Sequence, residues 1–122
     1  MKVNPNPLHR RVGDCVVRAI SLATGQSWRD VYAALCRVGY RFSDMPSSNE
    51  VWGRYLYDLG FDPYRLPEAC PECVTVLDFA RMHPRGVYII GTGNHAVAII
   101  NGDYLDTFDS GREVPAYYFK VR

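Results

Sequence analysis

The Asn101-Gly102 pair constrains this chain more than any other feature of its sequence. Both residues tolerate positive φ, as a two-residue hairpin turn matched to strand twist requires. HAVAII (95–100) runs into the pair and DYLDTFD (103–109) leaves it, and both are rich in strand-forming residues. Two antiparallel strands should therefore meet here. With a two-residue turn, Ile100 pairs with Asp103, Val97 with Asp106 and His95 with Phe108. Side chains alternate between faces, so His95, Val97 and Asp106 fall on one face. His95 and Asp106 become diagonal neighbours, roughly 7–8 Å apart at Cα and within reach of each other's tips. A three-residue turn inverts the parity and brings Asp109 to the His95 face instead.

The remaining segments fill in around this hairpin. GVYIIG (86–91) and the run 117–121 read as further strands. The first two thirds of the chain read differently. Met1 to Gly13 is an arm broken by Pro5 and Pro7. Asp14 is a candidate N-cap for a helix over 15–24 that Gly25 stops. A second helix starts at Ser27, where Ser27 and Asp30 resemble a capping box, and Gly39 is its expected end. A third begins near Ser47 or Ser48 and ends at Gly60, with Val51, Trp52, Tyr55, Leu56 and Leu59 in its buried stripe. A short strand over 61–66 is weakened by Pro63, and a short helix spans 74–82 before Pro84. Helices first and an antiparallel sheet after them predict an α+β domain, with N-terminal helices packed on a C-terminal sheet. The length of 122 residues fits one domain, 1–122.

Composition narrows the function classes. Apolar residues make up 48% of the chain and aromatics 13%, enough for a packed core and unlike a disordered tail. The net charge of +1 offers no field that points to nucleic acid or to an acidic membrane. No apolar run approaches the roughly 20 residues of a membrane span, and the polar, Pro-containing start is unlike a signal peptide. The expected setting is a cytoplasm, where disulfides are not the default use of Cys15, Cys36, Cys70 and Cys73.

Cys15 stands at the predicted start of a helix. Free N–H groups and the positive end of the helix dipole favour an anion there. A thiol so placed has a lowered pKa, and the same N–H groups can hold an oxyanion. A lone helix cysteine is usually a core residue. His95, at the start of a strand, supplies the base and acid that a nucleophilic cysteine needs. Asp106 can orient the imidazole as the third member of a triad.

The segment GDCVVRAISLATG, followed by NHAVAIINGDYLDTFD, resembles the papain-like cysteine peptidase superfamily. It is most similar to the small bacteriocin-leader (double-glycine) peptidases and related compact proteins of bacteria and their phages. The resemblance implies a papain-like fold, with Cys15 as nucleophile, His95 as general base and acid, and Asp106 as the orienting acid. Many members carry a Gln six residues before the Cys to complete the oxyanion hole. This sequence has His9 there, and Asn6 or Asn4 is the alternative source of an amide. The implied activity is hydrolysis of an amide, isopeptide or thioester bond in a peptide or protein substrate, with no cofactor and no metal. A non-catalytic binding or inhibitory module and a cysteine acyltransferase are the competing readings.

Three further features of the sequence bear on function. Cys70-Pro-Glu-Cys73 can be half a zinc site completed by Cys36 and His83, a reversible disulfide, or two unlinked turn cysteines. Gly91-Thr-Gly-Asn94 lacks the Lys and the helix of a phosphate loop and reads as a flexible loop beside His95. Tyr40 and Phe42, expected in the loop before the third helix, are candidates to line a substrate groove.

Overall fold

The computed structural model describes residues 1–122. In chain order it contains α1 (Cys15–Thr24), α2 (Trp28–Phe42), α3 (Asn49–Asp58), β1 (Pro63–Arg65), α4 (Val76–Met82), β2 (Val87–Gly91), β3 (Ala96–Ile100), β4 (Asp103–Leu105) and β5 (Tyr117–Lys120). The five strands form one antiparallel sheet in the order β1-β5-β2-β3-β4. The protein is thus α+β, as its segment order predicts. No helix is long and apolar enough to cross a membrane.

The sheet is covered on both faces, and strand alternation sorts the side chains. Val87 and Ile89 of β2, and Ala96 and Ala98 of β3, join α1, α2 and α3 in the larger core. Tyr88 and Ile90, with Val97 and Ile99, pack on Val76, Phe79 and Ala80 of α4. The small side chains of Ala96 and Ala98 let α1 lie close against β3, so the strand that His95 leads into is also the floor for the helix that Cys15 opens. Pro63 sits in β1 at the sheet edge, where its missing N–H costs no ladder bond.

The hairpin turn forms as expected. Ile100 pairs with Asp103, and Asn101 and Gly102 adopt φ of 48° and 81°. The ladder then stops at Ala98–Leu105, three pairs short of His95–Phe108. Asp106 instead forms a parallel bridge with Lys2, so the N-terminal arm adds a short stretch beside β4. The arm is therefore partly tied to the sheet.

Helix α2 runs through Gly39 to Phe42, with Ser43 in the left-handed conformation as its cap. Gly39 is a packing residue: the chain folds back so that the Asp44 N–H bonds the Gly39 carbonyl, and a Cβ at Gly39 would lie 2.6 Å from the Asp44 carbonyl oxygen. Tyr40 and Phe42 consequently lie on α2 and are exposed, not in a loop. Ser27 caps α2 through the Asp30 N–H, without the return bond of a full box. The reciprocal capping box is at Thr75 and Asp78, opening α4.

Gly39 and Gly53 give opposite predictions for the same change. Around Gly53, in α3, a Cβ meets nothing within 4 Å, so Gly53→Ala should stabilise the protein by about 0.5–1 kcal/mol through helix propensity. Gly39→Ala should destabilise it by about 1–3 kcal/mol, because backbone must move. Urea midpoints for the two variants check this. A Gly39→Ala midpoint at or above that of the unmodified chain would contradict the packing assignment.

Candidate active site

α1 delivers Cys15 at its first position, half-buried. The side chain of the N-cap residue, Asp14, makes no capping bond. It is drawn instead into buried contacts with Arg18, with the Trp28 Nε1–H at 2.9 Å and with the Asn6 amide at 3.4 Å. The N–H groups of Cys15, Val16 and Val17 consequently have no hydrogen-bond acceptor, and the first helical N–H that is paired belongs to Arg18. Cys15 therefore sits among unpaired donors.

His95 precedes β3 and Asp106 follows β4, so their side chains meet just beyond the end of the ladder. The His95 Nε2 to Asp106 Oδ2 distance is 2.6 Å. With Nε2 committed to Asp106, Nδ1 is the ring nitrogen free to serve the Cys15 thiol, whose ionisation the imidazole favours. The contact foreseen between His95 and Asp106 is made, although not by the foreseen alternation. Val97 faces α4, whereas Cys15 packs with the core on the α1 face. Asp109 is taken up elsewhere, by the Tyr104 hydroxyl at 2.6 Å. Phe108 lies against the His95 ring, with centroids 5.2 Å apart.

Each group of the chain Cys15–His95–Asp106 is shifted toward its charged form. Burial pushes the Cys15 thiol up, but the His95 hydrogen bond, the Ala96 N–H and the nearby charges of His95 and Arg18 outweigh it and leave the thiol lowered. The Asp106 bond, with the Cys15 bond second, raises His95 to about 10 against the desolvation of the ring. Burial likewise opposes the charge on Asp106, yet its bonds from His95 and from the Thr107 N–H keep the carboxyl below the usual carboxylate range. The buried Ser110 hydroxyl lies near this carboxylate and favours its charge, outside normal hydrogen-bond geometry. The arrangement favours a thiolate–imidazolium pair backed by a carboxylate.

No protein-family model, no curated protein and no solved structure matches this chain.

Cys15 and His95 line a cleft of about 390 Å³. Its walls are the start of α1 from Gly13, the turn before α3 with the first residues of that helix, and the β2–β3 loop from Gly93. Asn49 ties two walls together: its amide donates to the Gly93 carbonyl at 3.3 Å and its oxygen accepts from the Trp52 Nε1–H at 3.0 Å. The β2–β3 loop is a hydrogen-bonded turn in which the Thr92 N–H bonds the His95 carbonyl at 2.8 Å. Behind the cleft, Gly91 makes room for Tyr117, whose ring a Cβ at Gly91 would meet at 2.6 Å. Burial, with the Cys15 charge adding to it, pushes the Tyr117 phenol up to about 12.

Several expected residues are elsewhere. Asn6 is buried in the arm, where its oxygen accepts from the Leu8 and Arg10 N–H groups, and it does not line the cleft. The Asn4 amide donates to the Arg10 carbonyl. His9 is exposed at a φ of 53° and is also outside the cleft. The bonds within residues 4–10 hold all three away from the lining of the cleft. Tyr40 and Phe42 are outside it as well. Cys70 and Cys73 form a disulfide with each other, while Cys36 is free on α2 and His83 is bonded through Nδ1 to the Phe79 carbonyl. The zinc set of these four residues is not assembled.

The residue that sequence reasoning missed is Arg18. It is a buried guanidinium between Asp14 and Asp106, its NH2 nitrogen 3.1 Å from Asp106 Oδ1. The available signal was its setting, VVRAIS, which offers an arginine no polar helix face.

The raised His95 pKa has a stability consequence of fixed sign. Unfolded, the ring titrates near 6.5; folded, near 10. The protonated ring stabilises the fold, fully below the unfolded value, and that contribution is lost as pH rises through about 10. NMR should find the His95 ring cationic across neutral pH. In Asp106→Asn its midpoint should fall by more than a unit. A midpoint near 6.5 in the unmodified chain would rule out the ion pair.

Proposed function

We propose that the chain is a papain-like cysteine hydrolase acting on an amide, isopeptide or thioester carbonyl in a peptide or protein segment. The carrying observation is that Cys15 shares a cleft with the His95–Asp106 pair, each group favouring the charged form of the next, and lies among the unpaired N–H groups of α1.

The chemistry follows from that geometry. The Cys15 thiolate adds to the carbonyl carbon, and the displaced electron pair moves to the oxygen. The unpaired N–H groups at the start of α1 are the donors for this oxyanion. As the carbonyl re-forms, the carbon–leaving-group bond breaks and the His95 imidazolium passes its Nδ1 proton to the leaving atom. A thioester on Cys15 and a neutral His95 remain. Water then adds to the thioester as His95 takes one of its protons, and expulsion of the thiolate restores the ion pair. Asp106 stays ionised throughout and stabilises the imidazolium. The backbone, not Asn6, Asn4 or His9, supplies the oxyanion donors in this scheme.

The same geometry orients the substrate. His95 must face the leaving group, so the acyl portion extends to the other side of Cys15. A second cavity, of about 330 Å³, opens there, sharing Gly13, Val16 and Ser47 with the cleft and containing no residue of the β2–β3 loop. Its aromatic wall is Trp28 stacked on Tyr32, with centroids 5.2 Å apart and an interplanar angle of 11°. Its one carboxylate, Asp14, is already paired with Arg18. The cavity therefore suits an uncharged, apolar acyl-side group.

Two measurements test this reading. Iodoacetamide should alkylate Cys15 at pH 6–7 at least tenfold faster than free cysteine, and His95→Ala should cost about 10²–10⁴-fold in that rate or in turnover of a fluorogenic peptide amide. Cys15→Ala should abolish both. Substrates with Phe or Leu on the acyl side should turn over faster than those with Asp or Lys, and Tyr32→Ala should narrow the difference. Alkylation no faster than free cysteine and insensitive to His95→Ala would refute the hydrolase reading.

A further inference from the structure

Arg18 carries a charge that the scheme above does not use, and its placement is costly. Its side chain is 8% exposed, on a helix whose residues Val16 to Ser21 are all buried. A buried guanidinium persists where it is paired and hydrogen-bonded. One carboxylate suffices for pairing, and Asp14, one helical turn back, supplies it. Arg18 nevertheless also reaches Asp106, 88 residues away in the chain.

That second contact divides the Asp106 carboxylate into two assigned halves. Oδ1 accepts from Arg18 at 3.1 Å and from the Thr107 N–H at 2.8 Å. Oδ2 is left to His95 at 2.6 Å. A carboxylate anchored through one oxygen cannot rotate without breaking both anchoring bonds. The guanidinium also pairs with this nearly inaccessible carboxylate and adds positive charge close to Cys15. The charges run Asp14⁻, Arg18⁺, Asp106⁻, His95⁺, Cys15⁻. Beyond these, the one titratable group that bears on Cys15 is Tyr117 of β5, neutral at working pH.

We propose that Arg18 is a positioning residue: it locks Asp106 so that Oδ2 meets His95, and thereby maintains the Cys15–His95 ion pair. This rests on the reading of Cys15 and His95 as the reacting pair. It adds a fourth side chain that touches neither substrate nor reacting atoms.

The test compares substitutions at the two ends of the Arg18–Asp14 contact. The pH dependence of Cys15 alkylation by iodoacetamide is measured on the full chain and on Arg18→Gln, Arg18→Lys and Asp14→Asn, each checked for folding by circular dichroism. Arg18→Gln should move the acid limb, where the thiolate forms, up by about one pH unit, equivalent to about a tenfold lower rate on that limb. Arg18→Lys, which keeps the cation but not the forked geometry, should recover about half of that shift. Asp14→Asn removes a carboxylate beside Cys15 and leaves Arg18 on Asp106, so its limb should not move up. If Arg18→Gln does not fold, Arg18→Lys and Asp14→Asn still decide, because only the former should move the limb up. A purely structural ion pair predicts the same limb in every folded variant, and that result would overturn the proposal.

A second readout is independent of thiol reactivity. The hydrogen-bonded Nε2 proton of His95 should give a downfield NMR signal in the unmodified chain and in Asp14→Asn. In Arg18→Gln or Arg18→Lys it should weaken or shift upfield. Unreactive Cys15 combined with this pattern would sink the hydrolase reading and keep the positioning role. A reactive Cys15 with an unchanged signal in the Arg18 variants would do the reverse.

Discussion

A single guanidinium, inside the protein, joins the start of α1 to the far end of the β3–β4 hairpin. Arg18 bonds Asp14 at the helix cap and Asp106 just past β4. The rest of the candidate site is organised by that cross-link. α1 lies on β3 because Ala96 and Ala98 leave room for it, and apolar packing of this kind sets a distance but not a rotation about the helix axis. A charge that is expensive to bury and demands two specific partners specifies the rotation. It brings the first residue of α1 to the end of the sheet where His95 and Asp106 project.

The electrostatics follow from the same constraint. Placing several ionised groups in one interior region is tolerable when neighbours alternate in sign and each has hydrogen bonds. Asp14, Arg18, Asp106, His95 and Cys15 alternate in that way. Cys15 and His95 each favour the charged form of the other, so that part of the two shifts is one interaction seen from both ends, and Asp106 contributes the larger part for His95. The partial burial of Cys15 and His95 strengthens each pairwise attraction.

Local chemistry made much of this legible in the sequence. Asn101-Gly102 announced its own turn because few residue pairs accept two positive φ angles. The bounds of α1 followed from Gly25, which takes a φ of 78° at its end. The meeting of His95 and Asp106 followed from the hairpin, although the ladder ended at Leu105 and the contact formed beyond it. What stayed hidden depended on long-range packing. Nothing local says that Gly39 faces the Asp44 carbonyl and so lies within α2 instead of ending it. Counting back from Cys15 located His9, but the turn that Asn6 makes with Leu8 and Arg10 decides where the arm goes. Arg18 was hidden because its second partner is 88 residues away.

Helix capping shows how the fold divides stability from chemistry. Ser27 caps α2 and Thr75 with Asp78 caps α4, each bond of a kind worth about 1 kcal/mol. The N-caps of α1 and α3, Asp14 and Ser48, make no such side-chain bond. These two helices are the ones whose first residues line the cleft with Cys15 and His95. Asp14 is a good capping residue by type, and it is diverted by Arg18. The diversion forgoes local stability and leaves unpaired the Val16 and Val17 N–H groups that a cap would take, at a cleft that receives the positive ends of two helix dipoles. A thiolate, and an oxyanion formed from it, are the charges such a place stabilises. The cross-link that orients α1 therefore also keeps its N-terminus open, and a neutral cap in place of Asp14 could supply the bond but not the pairing that buries Arg18.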